Sequence, residues 1–201
     1  MSRSIPSIDF RLATSEVAEE RASFVQQVGD ALKDIGFFAL THHGIPRALI
    51  DETYAQCDAF FDLDEETKRT YLQPKIGHQR GYTAFGVEHA KDNPAPDLKE
   101  FWQTGRPYPD DGTVPSYPQN IWPTDHVDGF QSTTETLFTS METLAQHLLS
   151  ACSRYLGKPE KWLPEMSVEG NTIMRMIHYP PLDGTTPEGA VRSAAHEDIN
   201  F

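Results

Sequence analysis

With 201 residues, the sequence is long enough for one sizeable core and too short for several independent domains to be the default, so one domain is the working count. Lys and Arg number 17 against 30 Asp and Glu, a net charge of -13, and the densest basic stretch, Lys68-Arg69 with Lys75 and Arg80, follows the acidic run Asp62, Asp64, Glu65 and Glu66; this balance argues against a nucleic-acid partner. No stretch approaches the roughly 18 apolar residues of a membrane span, and Cys57 and Cys152 sit far apart in apolar-periodic segments, as buried small hydrophobes do in a reducing compartment; a soluble, cytoplasmic protein is expected.

In chain order, Ile5-Pro6-Ser7-Ile8-Asp9-Phe10 alternates Ile8 and Phe10 around Asp9, and Pro6 suits the start of a short edge strand. Thr14 or Ser15 is placed to cap a helix running to about Lys33, with Val17, Phe24, Val25, Val28, Leu32 and Ile35 as its apolar stripe. Gly36 ends that pattern, and Phe37-Phe38-Ala39-Leu40-Thr41 fits a buried strand. After the turn residue Gly44, Pro46 opens a second helix packed through Leu49, Ile50, Tyr54, Cys57, Phe60 and Phe61. Asp64 can cap a short third helix, whose end Tyr71-Leu72 would dock.

From Gln73 to about His126 Pro and Gly recur and periodicity is weak. Yet Tyr82, Phe85, Phe101, Trp102, Tyr117 and Trp122 are too many aromatics for a disordered linker. Ordered irregular structure is expected there, with a strand at Leu98 to Thr104. A long helix resumes near Val127 and stops at Gly157. After Trp162 the pattern turns extended: Thr172 to Tyr179 predicts a strand with Ile173, Arg175, Ile177 and Tyr179 on one face, ended by Pro180-Pro181. A Gly/Pro-rich loop from Leu182 to Gly189 follows, and Ala194 to Phe201 restarts a strand. Strands that only begin as the sequence ends cannot close a core, so a fragment of a longer chain is expected.

His196-Glu197-Asp198 carries the sharpest chemistry. On an extended backbone His196 and Asp198 share a face and Glu197 points away, so an imidazole nitrogen and a carboxylate oxygen converge on one cation. A second His from a distant strand would complete the two-His, one-carboxylate face that holds Fe(II) and leaves positions open for substrate, co-substrate and dioxygen. Such triplets arise often by chance; what distinguishes this one is its place after a Pro/Gly-rich loop, with Tyr179 ending the preceding apolar strand. Structural or surface roles are expected for His42, His43, His78, His89, His126 and His147. His178 alternates with Tyr179 and should pack or hydrogen-bond on the opposite side. Arg175 could reach a carboxylate or pair within the fold, and Phe85, Phe101 and Trp102 could line a pocket or simply pack the core.

These segments in this order resemble the isopenicillin-N-synthase-like group of 2-oxoglutarate and Fe(II)-dependent oxygenases, over essentially the whole chain. The likeness runs through Ile5 to Phe10, Gly36-Phe37-Phe38, His43-Gly44-Ile45, Phe60-Phe61 with Leu63 and Lys68, Arg80-Gly81-Tyr82, Lys99-Glu100, His178-Tyr179-Pro180-Pro181 and His196-Glu197-Asp198. The resemblance implies an α+β fold: an N-terminal helical and loop region (1–125), then the long helix and first strands of a double-stranded β-helix, or jelly-roll, core (126–201, incomplete). By it His196 and Asp198 are the first two iron ligands and the catalytic centre, and the Tyr179 hydroxyl helps hold 2-oxoglutarate. Many plant members have Asn two residues before that Tyr, where this chain has Ile177, so one amide donor is missing.

The second ligand His and an Arg-x-Ser pair for the distal carboxylate are expected beyond Phe201, and residues 1–201 alone should be inactive. The implied reaction is hydroxylation, desaturation or cyclisation of a small organic substrate, using Fe(II), 2-oxoglutarate and dioxygen and releasing succinate and CO2. Two alternatives stay open: an Fe(II) oxidase of the same family that does not use 2-oxoglutarate, and a binding relative that has lost the metal.

Overall fold

A computed structural model describes residues 4–88, 95–108, 117–168, 170–182, 184, 186 and 188–195. The elements are β1 (Ser7–Asp9), α1 (Ala18–Asp34), β2 (Ala39–Thr41), α2 (Arg47–Phe61), α3 (Glu65–Arg69), β3 (Gly81–Thr83), β4 (Glu100–Gly105), α4 (Phe130–Tyr155), α5 (Trp162–Ser167) and β5 (Ile173–His178), with 3-10 turns at Phe10–Thr14 and Pro74–Ile76. The fold is α+β, with a helical N-terminal region and part of a β-sheet core. The chain divides into two units, Met1–Ile50 with Thr136–Gly170, and Asp51–Glu135 with Asn171–Phe201. Among the described residues no helix is long and apolar enough to cross a membrane.

In the first unit β1 and β2 pair in parallel, Ile8 opposite Leu40, and Ile8 joins Phe24, Val28, Ala31 and Ala151 in a buried cluster. Gly29 lies within α1 because Tyr155 leaves no room there: an added Cβ would sit 2.0 Å from its ring. The Tyr155 hydroxyl donates to Asp30 at 2.9 Å.

Three expectations are corrected here. The helix starts at Ala18, behind Val17, without a side-chain cap. Asp9 instead accepts the Arg11 N–H and starts a 3-10 turn, and the Ser15 hydroxyl serves the Val17 N–H. Val17 and Leu32 lie outside the buried stripe, and Phe37 is 71% exposed. A two-stranded pair that packs one face can bury only one of two adjacent aromatics, and Phe38 is the one against the cluster. Beyond Trp162 the chain forms one more short helix, α5, where an extended segment was expected.

In the second unit the sheet order is β3-β4-β5, antiparallel throughout. The register sets Tyr82, Trp102 and Met176 abreast, and likewise Thr83, Phe101 and Ile177. Paired residues share a face, so Tyr82, Glu100, Trp102, Met176 and His178 look to one side and Thr83, Phe101, Gln103, Arg175 and Ile177 to the other. The first side is the core. Phe60, 0% exposed, meets the rings of Trp102 at 4.8 Å, Tyr82 at 5.7 Å and Phe130 at 6.0 Å.

The α2 stripe keeps Cys57, Phe60 and Phe61 as expected and adds Thr53, while Tyr54, expected in it, is 67% exposed. Burial pushes the Cys57 thiol up to about 12. Asp64 caps α3 as expected, accepting the Thr67 N–H at 2.9 Å. Gly81 has φ +76°, and a Cβ there would lie 2.6 Å from the Tyr71 carbonyl, so the chain enters β3 against the preceding turn only because this residue is glycine.

Glu100 is 3% exposed within this aromatic core. Its Oε2 accepts from Lys68 Nζ at 2.9 Å and from the Tyr82 hydroxyl, and its Oε1 lies 2.8 Å from His178 Nδ1. Lys68 also donates to the Phe61 carbonyl, and the His178 ring stacks on Phe61 at 5.0 Å. Burial alone would raise the Glu100 carboxyl, but hydrogen bonds from Tyr82, His178 and Lys68 outweigh it and hold the group below its ordinary range. A carboxyl depressed in the folded state contributes stability above its unfolded pKa and loses it as pH falls through the folded value.

Two outcomes follow in denaturant unfolding. Phe60→Ala should lower the unfolding free energy by about 3–5 kcal/mol. Glu100→Gln should lower it by about 3 kcal/mol at pH 7, because Lys68 loses its buried counter-charge and keeps only the more exposed Glu65 at 3.6 Å. The same variant should flatten the loss of stability on acidification below about pH 4. Equal acid slopes in Glu100→Gln and parent would remove Glu100 from this role.

Candidate functional site

The face of the sheet turned away from the aromatic core holds the chemistry-bearing residues. Arg175, Ile177 and, just past the end of β5, Tyr179 follow one another at every second position and are all exposed, while Met176 between them is buried. Tyr179 is 37% exposed, so its hydroxyl-bearing ring is open to a ligand. His178 turns to the opposite side, into the Glu100 cluster, as its alternation with Tyr179 predicts.

Arg175 arrives already partnered. Its guanidinium lies 4.7 Å from the centre of the Phe101 ring, its Nε donates to Gln103 Oε1 at 3.0 Å, and its Nη1 is 3.0 Å from Glu88. Phe101 therefore floors this face beneath Arg175, Trp102 belongs to the core, and Phe85 is 41% exposed.

Glu88 also bonds Lys99 at 2.8 Å, and Lys99 bonds Asp97 at 2.9 Å. Burial would lower the Lys99 ammonium, but the hydrogen bonds it donates to Glu88 and Asp97 outweigh it and hold the group above its ordinary value. The row of alternating charges thus runs Arg175, Glu88, Lys99, Asp97 along one end of β4. Backbone bonds frame it: the Asp97 N–H donates to the Glu88 carbonyl at 2.9 Å, and the Leu98 N–H to the Val191 carbonyl at 2.8 Å.

His196, Glu197 and Asp198, like His89, lie outside the described residues. The chain leading to the triplet is described as far as Ala195. Val191 forms a parallel bridge with Asp97, Ala194 N–H donates to Asp97 Oδ1 at 3.0 Å, and Arg192 reaches the Pro180 carbonyl at 3.4 Å. Tyr179 follows His178, which pairs with Glu100. Val191 to Ala194 and the end of β5 before Tyr179 thus flank the same end of β4, and an imidazole with a carboxylate, as in His196 and Asp198, is a donor set of the kind that suits Fe(II). Among the described residues no group of three His, Cys, Asp or Glu is arranged for a metal ion.

Four of the remaining histidines have partners for their side chains, while His78 is held through its backbone carbonyl and its Nδ1 is buried without a hydrogen bond. His42 is 3.3 Å from Asp9, His43 Nδ1 accepts the Ile45 N–H, His126 meets the Tyr71 hydroxyl at 2.7 Å, and His147 packs edge-on to Phe10. Gln103 donates to the His78 carbonyl.

Sequence reasoning missed the roles of Glu88, Asp97, Lys99 and Glu100. A signal was present for Glu100: it lies in phase with Trp102, and a charge alternating in step with core aromatics needs a buried partner. For Glu88 and Asp97, in a stretch without periodicity, there was none.

Comparison with known proteins places the chain. The family model described as non-haem dioxygenase in morphine synthesis, N-terminal, matches residues 5–125. Proline hydroxylase buaE of Petromyces alliaceus is 31% identical over 205 residues, covering 97% of this chain and 61% of that protein. A crystal structure of a 2OG-Fe(II) oxygenase family protein from Caulobacter crescentus superposes with a TM-score of 0.77 at 32% identity, over 90% of this chain and 58% of that one. A full-length Neurospora crassa protein in complex with alpha-KG gives 0.74 at 24% identity, over 94% and 59%, a likeness of fold alone. The chain spans about six-tenths of the length of the curated relatives it matches. It belongs to the isopenicillin-N-synthase-like 2-oxoglutarate/Fe(II)-dependent oxygenase superfamily, with the N-terminal region of the non-haem dioxygenases at residues 5–125.

Proposed function

We propose that this chain is part of a 2-oxoglutarate-dependent Fe(II) oxygenase acting on a small organic substrate by hydroxylation, desaturation or cyclisation. The observation that carries this is the convergence of exposed Tyr179 and the chain entering His196 on one end of β4, beside the Phe101 floor. In this reading His196 and Asp198 are two of the three protein ligands of the iron. When bound, iron, 2-oxoglutarate and dioxygen supply the oxidising chemistry, with 2-oxoglutarate leaving as succinate and CO2.

This chain's own residues bind and orient. The His196 imidazole and Asp198 carboxylate donate lone pairs to the metal, and the Tyr179 hydroxyl donates a hydrogen bond to a carboxylate oxygen of 2-oxoglutarate. Ile177 offers no donor and leaves Tyr179 as the polar contact from this strand. The likeness to the proline hydroxylase of Petromyces alliaceus supports the substrate class, and that to the 2OG-Fe(II) oxygenase family protein of Caulobacter crescentus supports the co-substrate.

Residues 1–125 then form the helical and loop region and 126–201 the opening of the oxygenase core. A cytoplasmic location is supported by two free cysteines, one of them buried.

The test is Fe(II) binding, oxygen uptake and succinate release by the full-length protein with candidate substrates. His196→Ala and Asp198→Ala should abolish stoichiometric Fe(II) binding and turnover, and Glu197→Ala should retain both. Comparable metal loss in all three would overturn the ligand assignment. Tyr179→Phe should raise the KM for 2-oxoglutarate by about tenfold, the worth of one hydrogen bond to a charged group. Substrate oxidation that proceeds without 2-oxoglutarate would instead assign the oxidase chemistry.

A further inference from the structure

The row Asp97, Lys99, Glu88 is buried or half-buried and has no part in the chemistry just described. Asp97 is 3% and Lys99 8% exposed, a costly place for charges unless each is held. Asp97 divides its carboxylate between two tasks: Oδ1 accepts the Ala194 N–H at 3.0 Å, and Oδ2 takes Lys99 Nζ at 2.9 Å. A backbone N–H held by an ionised carboxylate is roughly twice as strong a bond as a neutral one. Ala194 is two residues from His196, so this bond fixes the chain that leads into the triplet. The bridge at Val191 anchors the same segment three residues further back.

We propose that Asp97 and Lys99 are positioning residues for the metal: Lys99 holds the Asp97 carboxylate in place, and Asp97 fixes the chain at Ala194, which leads into the His196 and Asp198 ligands. The inference rests on the ligand assignment above. Through Glu88 and Arg175 the same row reaches β5, the strand that delivers Tyr179. Metal ligands and co-substrate contact are then set against one frame.

The test is anaerobic titration of the full-length protein with Co(II), followed by its visible absorption, beside circular-dichroism melts of the metal-free forms. Asp97→Ala should weaken Co(II) binding about 10- to 100-fold, the size seen when the support of a ligand is removed, and shift the absorption bands. Asp97→Asn keeps an oxygen for the Ala194 N–H but gives up the charge and the Lys99 ion pair, and should fall between parent and Asp97→Ala. Lys99→Met should weaken binding in the same direction as Asp97→Ala.

Parent-like affinity and spectrum in both Asp97→Ala and Lys99→Met would overturn the role, as would an Asn variant that loses as much as the Ala one. Should Asp97→Ala not fold, Lys99→Met decides by the same criterion. His196→Ala separates the two levels: if it binds Co(II) like parent, the ligand assignment fails; if it loses Co(II) while Asp97→Ala keeps it, only the positioning role fails.

Discussion

A carboxylate facing a cluster of aromatic rings governs this sheet. Glu100 can be buried only where Lys68, Tyr82 and His178 converge on it, and that requirement leaves β4 one acceptable face and one acceptable register. A slip of a single residue would put Phe101 in the charged cluster and turn Glu100 to the opposite buried face, away from its three donors. Since side chains alternate, fixing Glu100 inward also fixes Phe101 and Gln103 outward, and fixing His178 inward turns Tyr179 away from it. The functional face is thus a consequence of how the core satisfies one charge.

Charge is handled differently on the two sides of β4. On the core side one carboxylate collects three donors and stays ionised below its ordinary range. On the other side the charges alternate in a row, Arg175, Glu88, Lys99 and Asp97, and cancel along its length. Arg175 therefore comes to the site paired, and its guanidinium orients rather than supplies a free positive field.

Much of this is legible in the residues, for reasons that also explain what is not. The β5 strand carries its alternation openly, since one of its faces is exposed, and period two alone assigns Tyr179, Arg175 and His178 to their sides. The helices α2 and α4 announce themselves by period, although in α2 Thr53 is buried and Tyr54 is not, the reverse of what their polarity suggests. The β4 strand is buried on both faces, so no period-two pattern marks it, and β3 is only three residues long. The triplet His196-Glu197-Asp198 is marked in the sequence by its place after a Pro/Gly-rich loop, whereas the Asp97 and Lys99 pair that touches the chain ahead of it comes from a stretch where only the folded backbone brings partners together.

The bond from the Asp97 N–H to the Glu88 carbonyl also bears on how such a protein can change. It closes the chain between those residues into a loop whose two ends meet at a fixed point, with the charged row anchored outside it. Lengthening such a loop is inexpensive, about 0.6 kcal/mol for each doubling, and leaves Lys99 and Arg175 where they are. A change of length between Glu88 and Asp97 is therefore inexpensive so long as the bond that joins its two ends is kept.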